Sequence, residues 1–351
     1  MSPVQKTFLS FSFGCRVNAA ETNQWSQILL NQGFLPATNQ DKPSIILINT
    51  CSITKKGEKE SLNKVKFLSQ KYPKAKIYVT GCADFTKIKN LKNISFFTNP
   101  DKEKLLKNLN SLYSPKIKDK FSRTKRFLLK IQSGCTQYCS YCIVPFKRNY
   151  LYSLPINQAI NTVKQAIKDD YREVIITGIN IDQYQYKFTS LLKDILDKTS
   201  IKLISFGSVP INCIDNHLIE LYQIYPDRLS KFIHIPIQSG SDKILKLMNR
   251  PYTKKDILTK IHYLKSVIKD INLGTDIIVG FPGETKSDFN QTLQLCHQIG
   301  FSKIHTFIFS PRPNTKARIL FENSPKIKKE ILKNRSLQIR LAQNQKNYRP
   351  K

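Results

Sequence analysis

The sequence predicts an α/β protein of two units, an open parallel sheet followed by a partial (β/α)6 barrel of the TIM type. The first unit, 1–115, contains three apolar runs that each end in a cysteine and precede a helical segment. The second unit, 125–325, contains six apolar runs that alternate with helical segments. Such alternation is typical of parallel sheets, in which a crossover helix returns the chain to the next strand. A charged segment with proline, 113–126, predicts the linker, and 326–351 predicts a basic helical tail.

In the first unit, each predicted strand ends in a small residue and then a cysteine. The runs TFLSFSFGC, PSIILINTC and AKIYVTGC end at Cys15, Cys51 and Cys82. Parallel strands point the same way, so we expect the three thiols to converge at one edge of the sheet. Open α/β sheets bind their ligands at that edge. The helical segments that follow these strands are 19–34, 58–73 and 85–92.

The second unit is defined by six strand candidates, which helical segments such as 156–170 and 254–270 separate. Barrels of the TIM type keep their reactive groups at the carboxyl ends of the strands. The chemistry of this unit is therefore expected at that end. The strand candidates are 127–132, 173–178, 202–207, 232–237, 275–280 and 304–309.

The charge of the chain favours a polyanionic partner. Its 57 lysines and arginines exceed its 25 aspartates and glutamates, for a formal net charge of +32. Nucleic acid is the obvious partner, although the lysine excess also fits the codon bias of an AT-rich genome. No apolar run approaches the ~18–20 residues of a membrane span, and the start of the chain makes a poor signal peptide. We therefore expect a cytoplasmic protein with no membrane partner, whose eight cysteines serve metal binding or catalysis.

The densest cysteine cluster, GCTQYCSYC at 134–142, directly follows the first strand of the second unit. It holds Cys135, Cys139 and Cys142, with no fourth cysteine or histidine nearby. A structural zinc would need a fourth ligand from elsewhere, and a disulfide or a chance cluster is a further alternative. A 4Fe-4S cube on three thiolates leaves one iron free for a ligand that is not protein. None of the five histidines shows metal-ligand spacing, and only His234 is expected near the barrel mouth.

The spacing C-x3-C-x2-C, with Tyr141 before the last cysteine, resembles the signature of radical S-adenosylmethionine (SAM) enzymes. Along nearly the whole chain the sequence is similar to the methylthiotransferase family. The matching phrases of the first unit are GCRVNAAET, INTCSIT and VTGC. Those of the second are IQSGCTQYCSYCIVPFKR, ITGINI, HIPIQSGSDKILKLMNRPYT, DIIVGFPGET and FSPRPNTKA. So many phrases in the family's order make the resemblance specific, whereas GFPGET alone would be weak.

The resemblance implies a radical enzyme with two 4Fe-4S clusters. The cluster on Cys135, Cys139 and Cys142 would chelate SAM and reduce it to a 5′-deoxyadenosyl radical, which is chemistry of the cofactor. The second cluster would carry the sulfur that is methylated and then transferred to the substrate radical. The ligands implied for the second cluster are Cys15, Cys51 and Cys82.

The resemblance also implies contacts to SAM. It places the aromatic residue of the cysteine loop beside the adenine, and the end of the second barrel strand near the amino group. Two glycines would let the main chain approach the ligand closely. Core packing is the alternative for the aromatic residue, and turn formation is the alternative for the segment around Gln238. The implied contact residues are Tyr141, Gly178, Asn180, Gln238, Gly280 and Gly283.

Three features depart from the family pattern. Members usually carry a C-terminal TRAM β-barrel that helps to hold RNA, and we expect this chain, which ends at Lys351, to lack it. Val209 stands where the nearest subgroup commonly has Glu, and Asn314 stands where it has Gly. Asn tolerates left-handed backbone better than most residues, so the second exchange is expected to be mild.

The resemblance is greatest to the branch that modifies N6-threonylcarbamoyladenosine in tRNA. Val17, Asn18, Glu21 and Thr22 of GCRVNAAET carry this preference, together with CSIT and TGINI. The branch inserts a methylthio group at C2 of adenosine 37, which implies the tRNA anticodon stem-loop as partner and flavodoxin or ferredoxin as electron donor. The alternatives are the N6-isopentenyladenosine branch, the branch acting on a ribosomal-protein aspartate, and a non-catalytic Fe–S or RNA-binding remnant.

Overall fold

A computed structural model describes residues 6–38, 41–110 and 125–343, and the predicted linker, 113–126, falls almost entirely outside them. The strands are β1 (Thr7–Ser12), β2 (Leu35–Pro36), β3 (Ile45–Thr50), β4 (Lys76–Gly81), β5 (Ile94–Phe96), β6 (Arg126–Lys130), β7 (Gln132–Ser133), β8 (Tyr152–Ser153), β9 (Glu173–Thr177), β10 (Leu203–Phe206), β11 (Phe232–His234), β12 (Asn272–Val279) and β13 (Lys303–Ile308). The helices are α1 (Arg16–Asn31), α2 (Lys55–Lys71), α3 (Lys102–Asn110), α4 (Val144–Lys147), α5 (Ile156–Lys168), α6 (Phe188–Lys198), α7 (Asn216–Ile224), α8 (Asp242–Leu247), α9 (Lys254–Val267), α10 (Lys286–Ile299), α11 (Lys316–Glu322) and α12 (Lys329–Leu341). Over the described residues, no helix combines the length and the apolar character that crossing a membrane requires.

The sheet of the first unit is parallel throughout, with strand order β2-β1-β3-β4-β5. Its central strand β3 is buried along its whole length, because helices cover both faces of the sheet. Ile45 and Leu47 pack in a cluster with α1, whereas Ile46 and Ile48 pack in a cluster with α2. The three predicted strands and the first two helices are confirmed. The third predicted helix is only a 3-10 turn, Phe85–Ile88, and the short elements β2, β5 and α3 are absent from the prediction.

All six predicted strands of the second unit are confirmed. They lie in chain order as two three-stranded parallel sheets, β6-β9-β10 and β11-β12-β13. The sheets are neighbours, since the Val209 N–H donates to the His234 carbonyl at 2.8 Å. In the part of the chain that the structure describes, β13 does not pair with β6, so the barrel is partial, as predicted.

The region predicted as a basic tail contains α12, which packs on β13. Its Ile339 is wholly buried, and its Leu332 lies against Gly280. Its Arg335 pairs with the buried carboxylate of Glu284. The helix is thus anchored on the second unit by both apolar and ionic contacts.

Candidate active site

The three cysteines of the first unit lie together at the carboxyl edge of its sheet. Cys15 immediately precedes α1, while Cys51 and Cys82 directly follow β3 and β4. Each thiol is close enough to interact electrostatically with the other two. Gly14 has a φ of 84°, and a Cβ at this position would lie 2.3 Å from the Cys51 sulfur. Only glycine therefore lets the chain pass the Cys51 thiol at this distance.

The second cysteine loop, Cys135 to Cys142, lies beyond β6 and β7. Its three thiols also interact electrostatically with one another. Asn249, in the segment after α8, donates its side-chain amide to the carbonyls of Gln137 and Tyr138 at 3.1 and 3.2 Å. The protein itself therefore holds this loop in shape.

Hydrogen-bond donors point at sulfurs of both sets. The donor–sulfur pairs are Asn99 Nδ2–Cys82 at 3.5 Å, Ile53 N–Cys51 at 3.5 Å, Asn180 Nδ2–Cys135 at 3.7 Å and Arg250 Nη1–Cys139 at 3.3 Å. Such donors stabilise negative charge on sulfur and tune thiolate-bound clusters. Burial acts in the opposite direction and raises the pKa of Cys51 to about 11 and that of Cys142 to about 12. A metal that binds these thiols must therefore displace their protons.

The spacing of the sulfurs separates the alternatives left by the sequence. A single tetrahedral zinc with bonds of about 2.3 Å would hold its sulfurs roughly 3.8 Å apart. Within the described residues, which include all six cysteines, neither set has its three sulfurs within 4.8 Å of one another. All eight cysteines are free thiols, so the disulfide alternative is wrong. This wider spacing argues against a single tetrahedral ion bound by the three sulfurs of either set.

Of the predicted SAM contacts, Tyr141 is part of the second cysteine loop and Asn180 lies directly against it. Asn180 is buried and donates its side chain to a sulfur of that loop. Tyr141 is half-buried and packs in an apolar cluster with Ile278 and Phe281, where burial raises the pKa of its hydroxyl well above the usual range. Close by, a Cβ at Gly178 would lie 2.8 Å from the side chain of Ile181, so this position has no room for one.

The other three predicted contacts have structural roles of their own. Gln238 adopts a left-handed φ of 70°, and its main chain pairs with β12. Gly280 has a φ of 72°, and a Cβ there would lie 2.2 Å from the Leu332 side chain of α12. Gly283 has a φ of 86° and only ordinary contacts around its Cβ position. The main chain at Gly280 therefore packs closely against α12, which lies in the region predicted as a basic helical tail.

The local structure suits the two residues that differ from the family pattern, Asn314 and Val209. Asn314 adopts a φ of 63°, so the left-handed conformation expected at this position is confirmed. Val209 is wholly buried in the core of the second unit. An apolar side chain suits that environment.

A buried ionic network that sequence reasoning missed joins the two units. Glu21 accepts from both terminal nitrogens of Arg148 at 3.0 and 3.1 Å, and it also pairs with Lys102 and Lys130. We call these four residues the domain clamp. Burial alone would raise the pKa of Glu21, but the three cations hold it well below its usual range, so the carboxylate stays ionised.

The domain clamp lies beside the first cysteine set, and its Arg148 bonds to Ser133, two residues before the second set. Arg148 follows Cys142 by six residues in the chain, yet it interacts electrostatically with Cys15 and Cys82 of the first unit. Next to Cys15, Arg16 donates to the Phe206 carbonyl at the end of β10, at 2.8 Å. The carboxyl edges of the two sheets are therefore held against each other. The sequence signal for this network is a charged residue within each cysteine phrase, Glu21 in GCRVNAAET and Arg148 in CIVPFKR.

One exposed aromatic side chain lies in the second cysteine loop, and three more lie close to it or to the strand that precedes it. Tyr138 within the loop is 50% exposed and meets Phe146 edge-on, with ring centroids 5.9 Å apart. Tyr152 and Tyr186 are also exposed, and the ammonium of Lys130 lies 5.5 Å from the Tyr152 ring centroid. We call Tyr138, Phe146, Tyr152 and Tyr186 the aromatic rim.

The structure brings two histidines together that no spacing in the sequence had connected. His234 and His305 both lie against Asp276, at 3.0 and 3.3 Å from one carboxylate oxygen. These residues are far apart in the sequence, and neighbouring parallel strands bring them together. Sequence spacing alone therefore missed a group with metal-ligand geometry.

Comparison with known proteins agrees with this architecture. The protein-family model described as "Radical SAM superfamily" matches residues 129–296, and the model described as "Uncharacterized protein family UPF0004" matches residues 7–99. A solved structure of the radical SAM methyltransferase TsrM from Kitasatospora setae is similar with a TM-score of 0.67 at 10% identity, over 90% of this chain and 77% of that one. Together with the cysteine loop at the open end of the partial barrel, these matches define a radical SAM enzyme.

Curated relatives narrow that class. A tRNA-2-methylthio-N(6)-dimethylallyladenosine synthase of Endomicrobium trichonymphae is 34% identical, over 91% of this chain and 80% of the relative. The threonylcarbamoyladenosine tRNA methylthiotransferase MtaB of Thermotoga maritima is 31% identical, over 93% of this chain and 80% of the relative. The chain belongs to the radical SAM methylthiotransferase family, as its motifs predict. Membership implies a 4Fe-4S cluster and SAM as cofactors.

Proposed function

We propose that the protein inserts a methylthio group at C2 of adenosine 37, in tRNA that carries N6-threonylcarbamoyladenosine. The observation that carries this proposal is the pair of three-cysteine sets at sheet edges joined by the domain clamp. Each set offers three thiolates to one 4Fe-4S cluster and leaves one iron open. Two open irons suit a reaction that uses SAM both as a radical source and as a methyl donor.

The chain's own residues would position the reacting groups. When bound, the clusters and SAM supply the radical and the methylthio group, with reduced flavodoxin or ferredoxin as the electron source. Asn180 and Arg250 donate to sulfurs of the second set and so stabilise their thiolate form. Arg148 is buried between the units and links Glu21 of α1 to Ser133, two residues before the second cysteine set. A fixed separation of the two sets matters because small misplacements of reacting groups cost large factors in rate.

A tRNA substrate is supported by charge and by the aromatic rim. The net charge of +32 suits a phosphate backbone, to which lysine and arginine bind without reading sequence. The aromatic rim lies close to the cysteine loop or to the strand that precedes it, with Tyr138 as part of that loop. Unpaired RNA bases stack on exposed aromatic rings, so the rim suits an anticodon loop better than a double helix.

The choice of nucleoside rests on the phrase around the first cysteine. Relatives named for the dimethylallyl and the threonylcarbamoyl nucleosides match the chain at 34% and 31% identity, so identity does not separate the two substrates. The phrase GCRVNAAET favours threonylcarbamoyladenosine, and its Glu21 is the carboxylate of the domain clamp. The dimethylallyl nucleoside, also called isopentenyladenosine, is the second candidate.

Mass spectrometry of tRNA nucleosides from a strain lacking the gene tests this proposal. We expect 2-methylthio-N6-threonylcarbamoyladenosine to disappear and its unmethylthiolated precursor to accumulate, with the 2-methylthio isopentenyl nucleoside unchanged as an internal control. The opposite pattern would assign the protein to the second candidate. Purified protein should also release 5′-deoxyadenosine from SAM after reduction, and a Cys135→Ala variant should not.

A further inference from the structure

Three side chains that are able to bind a metal meet on the β11-β12-β13 sheet. Asp276 Oδ1 lies 3.0 Å from His234 Nε2 and 3.3 Å from His305 Nδ1. The ligand atoms of all three residues lie within 4.8 Å of one another. Among residues 6–38, 41–110 and 125–343, this is the only set of His, Cys, Asp or Glu side chains that meets this spacing.

The strand register explains why the three side chains share one face. Asp276 pairs directly with His305 across β12 and β13, and His234 pairs with Gly274 across β11 and β12. Residues 274 and 276 lie on the same face, because side chains alternate along a strand. A Cβ at Gly274 would lie 2.8 Å from His234 Nδ1, so the missing side chain makes room for the imidazole ring.

The environment of the group suits a cation. His234 is 7% exposed, and His305 is half exposed at the open side. The Asp276 side chain is 23% exposed, and its Oδ1 lies within 3.3 Å of a nitrogen of each imidazole. A partly buried carboxylate flanked by two imidazoles presents one oxygen and two nitrogens at one point.

The site lies on the side of the sheet that faces the second cysteine loop. Ile278, two residues after Asp276 on the same face of β12, packs with Tyr141 of that loop. Arg250 bridges the same regions, because it donates both to the Cys139 sulfur and to the Pro236 carbonyl in the segment after β11. A bound cation would therefore sit on the side of the barrel where the chemistry occurs.

We propose that His234, Asp276 and His305 bind one first-row divalent cation, with Zn²⁺ as the best match. Ligands at about 2.0–2.2 Å from one ion lie roughly 3.0–3.5 Å apart, which agrees with the two separations from Asp276 Oδ1, 3.0 and 3.3 Å. Two imidazoles and a carboxylate are ligands that zinc and iron accept, and three protein ligands leave an open coordination position. The half-exposed side of His305 is where an oxygen ligand from solvent or substrate can enter. The competing interpretation is a metal-free triad in which Asp276 accepts from both histidines.

Zinc titration of the cluster-loaded protein distinguishes these interpretations. The thiols are then occupied by iron, and an unchanged iron content shows that zinc has not replaced it. We expect one bound Zn²⁺ per chain by inductively coupled plasma mass spectrometry after dialysis, and an anomalous zinc peak between the three side chains in crystals. Asp276→Asn and His305→Asn should each weaken zinc binding by at least about tenfold.

His217→Asn is the matched control, since His217 forms an exposed pair with Glu220 at 3.7 Å, and among the described residues no third ligand completes a metal-binding group there. This variant should bind zinc as the unmodified protein does. Absence of zinc beyond background, or equal zinc in His305→Asn and His217→Asn, would overturn the proposal in favour of the metal-free triad. His305 is half exposed, so its variant should fold with full iron content and decide the question even if Asp276→Asn does not fold.

Discussion

Replacing Arg148 by methionine removes the central cation of the domain clamp while keeping an apolar side chain of similar length. Arg148 is 1% exposed. It donates to both oxygens of Glu21, to Asn18 Oδ1 at 2.7 Å and to Ser133 Oγ at 2.8 Å. The substitution therefore leaves a buried carboxylate and two buried acceptors without these donors.

The expected cost follows from these contacts. Removing one partner of a buried ion pair typically costs about 3–5 kcal/mol of the free energy of unfolding. Lys102 and Lys130 remain beside Glu21, so we expect the lower end, about 3 kcal/mol, for Arg148→Met. Glu21→Gln leaves three cations around a neutral side chain, and we expect about 4–5 kcal/mol. The double variant should lose less than the sum by about 2 kcal/mol, because each single change already removes the shared interaction.

Urea unfolding of the cluster-free protein under reducing conditions measures these changes as a shift in midpoint at constant slope. Trp25 is the only tryptophan, and it reports on the clamp because the Lys102 ammonium lies 5.6 Å from its ring centroid. Arg318→Met is the matched control, since Arg318 forms an exposed pair with Glu322 at 2.9 Å. An exposed pair of this kind contributes less than about 1 kcal/mol.

The same variant tests whether the clamp positions the two cysteine sets. Arg148→Met should still release 5′-deoxyadenosine from SAM, while the yield of methylthiolated nucleoside per 5′-deoxyadenosine falls at least about tenfold. A loss of stability below about 1 kcal/mol, or additive single variants, would refute the energetic reasoning. An unchanged product ratio would show that the clamp only stabilises the fold.

Three further predictions concern the clusters, RNA binding and α12. Anaerobic loading should give about eight irons per chain, since each set of three thiolates implies one cube. Alanine at all three positions of either set should halve the iron count, whereas alanine at the core residue Cys296 should not change it. An unchanged iron count in the variant that lacks Cys15, Cys51 and Cys82 would contradict a second cluster. Affinity for tRNA should fall steeply with salt because phosphate contacts release counterions. Tyr138→Ala should weaken tRNA binding by about 1–3 kcal/mol, whereas alanine at the similarly exposed Tyr263 on α9 should have little effect. Equal effects of the two substitutions would show that the aromatic rim is not part of the RNA site. Gly280→Ala should lower the melting temperature more than Gly283→Ala. Both positions have positive φ, but the new Cβ would lie 2.2 Å from Leu332 at position 280 and 3.5 Å from Leu247 at position 283. Equal decreases in melting temperature would mean that backbone strain alone matters.

The sequence by itself determined the elements whose signal is local. Each strand of the first unit that precedes a cysteine is a run rich in apolar residues, and the six strands of the second unit stand out between amphipathic helices. Because parallel strands end at one edge, the meeting of Cys15, Cys51 and Cys82 followed from their place after those runs. The short strands β2 and β5 gave no such signal, since two or three residues are too few to show a period.

Only the tertiary structure decided which distant residues meet. Glu21 and Arg148 are 127 residues apart, and each alone looks like an ordinary surface charge in the sequence. Asp276 meets His234 and His305 only because β11, β12 and β13 are neighbours in a given register. Position 280 has no room for a side chain because Leu332 of α12, 52 residues later in the sequence, packs over it. Such contacts depend on how whole elements dock, and no periodicity within one element records the partner it will meet.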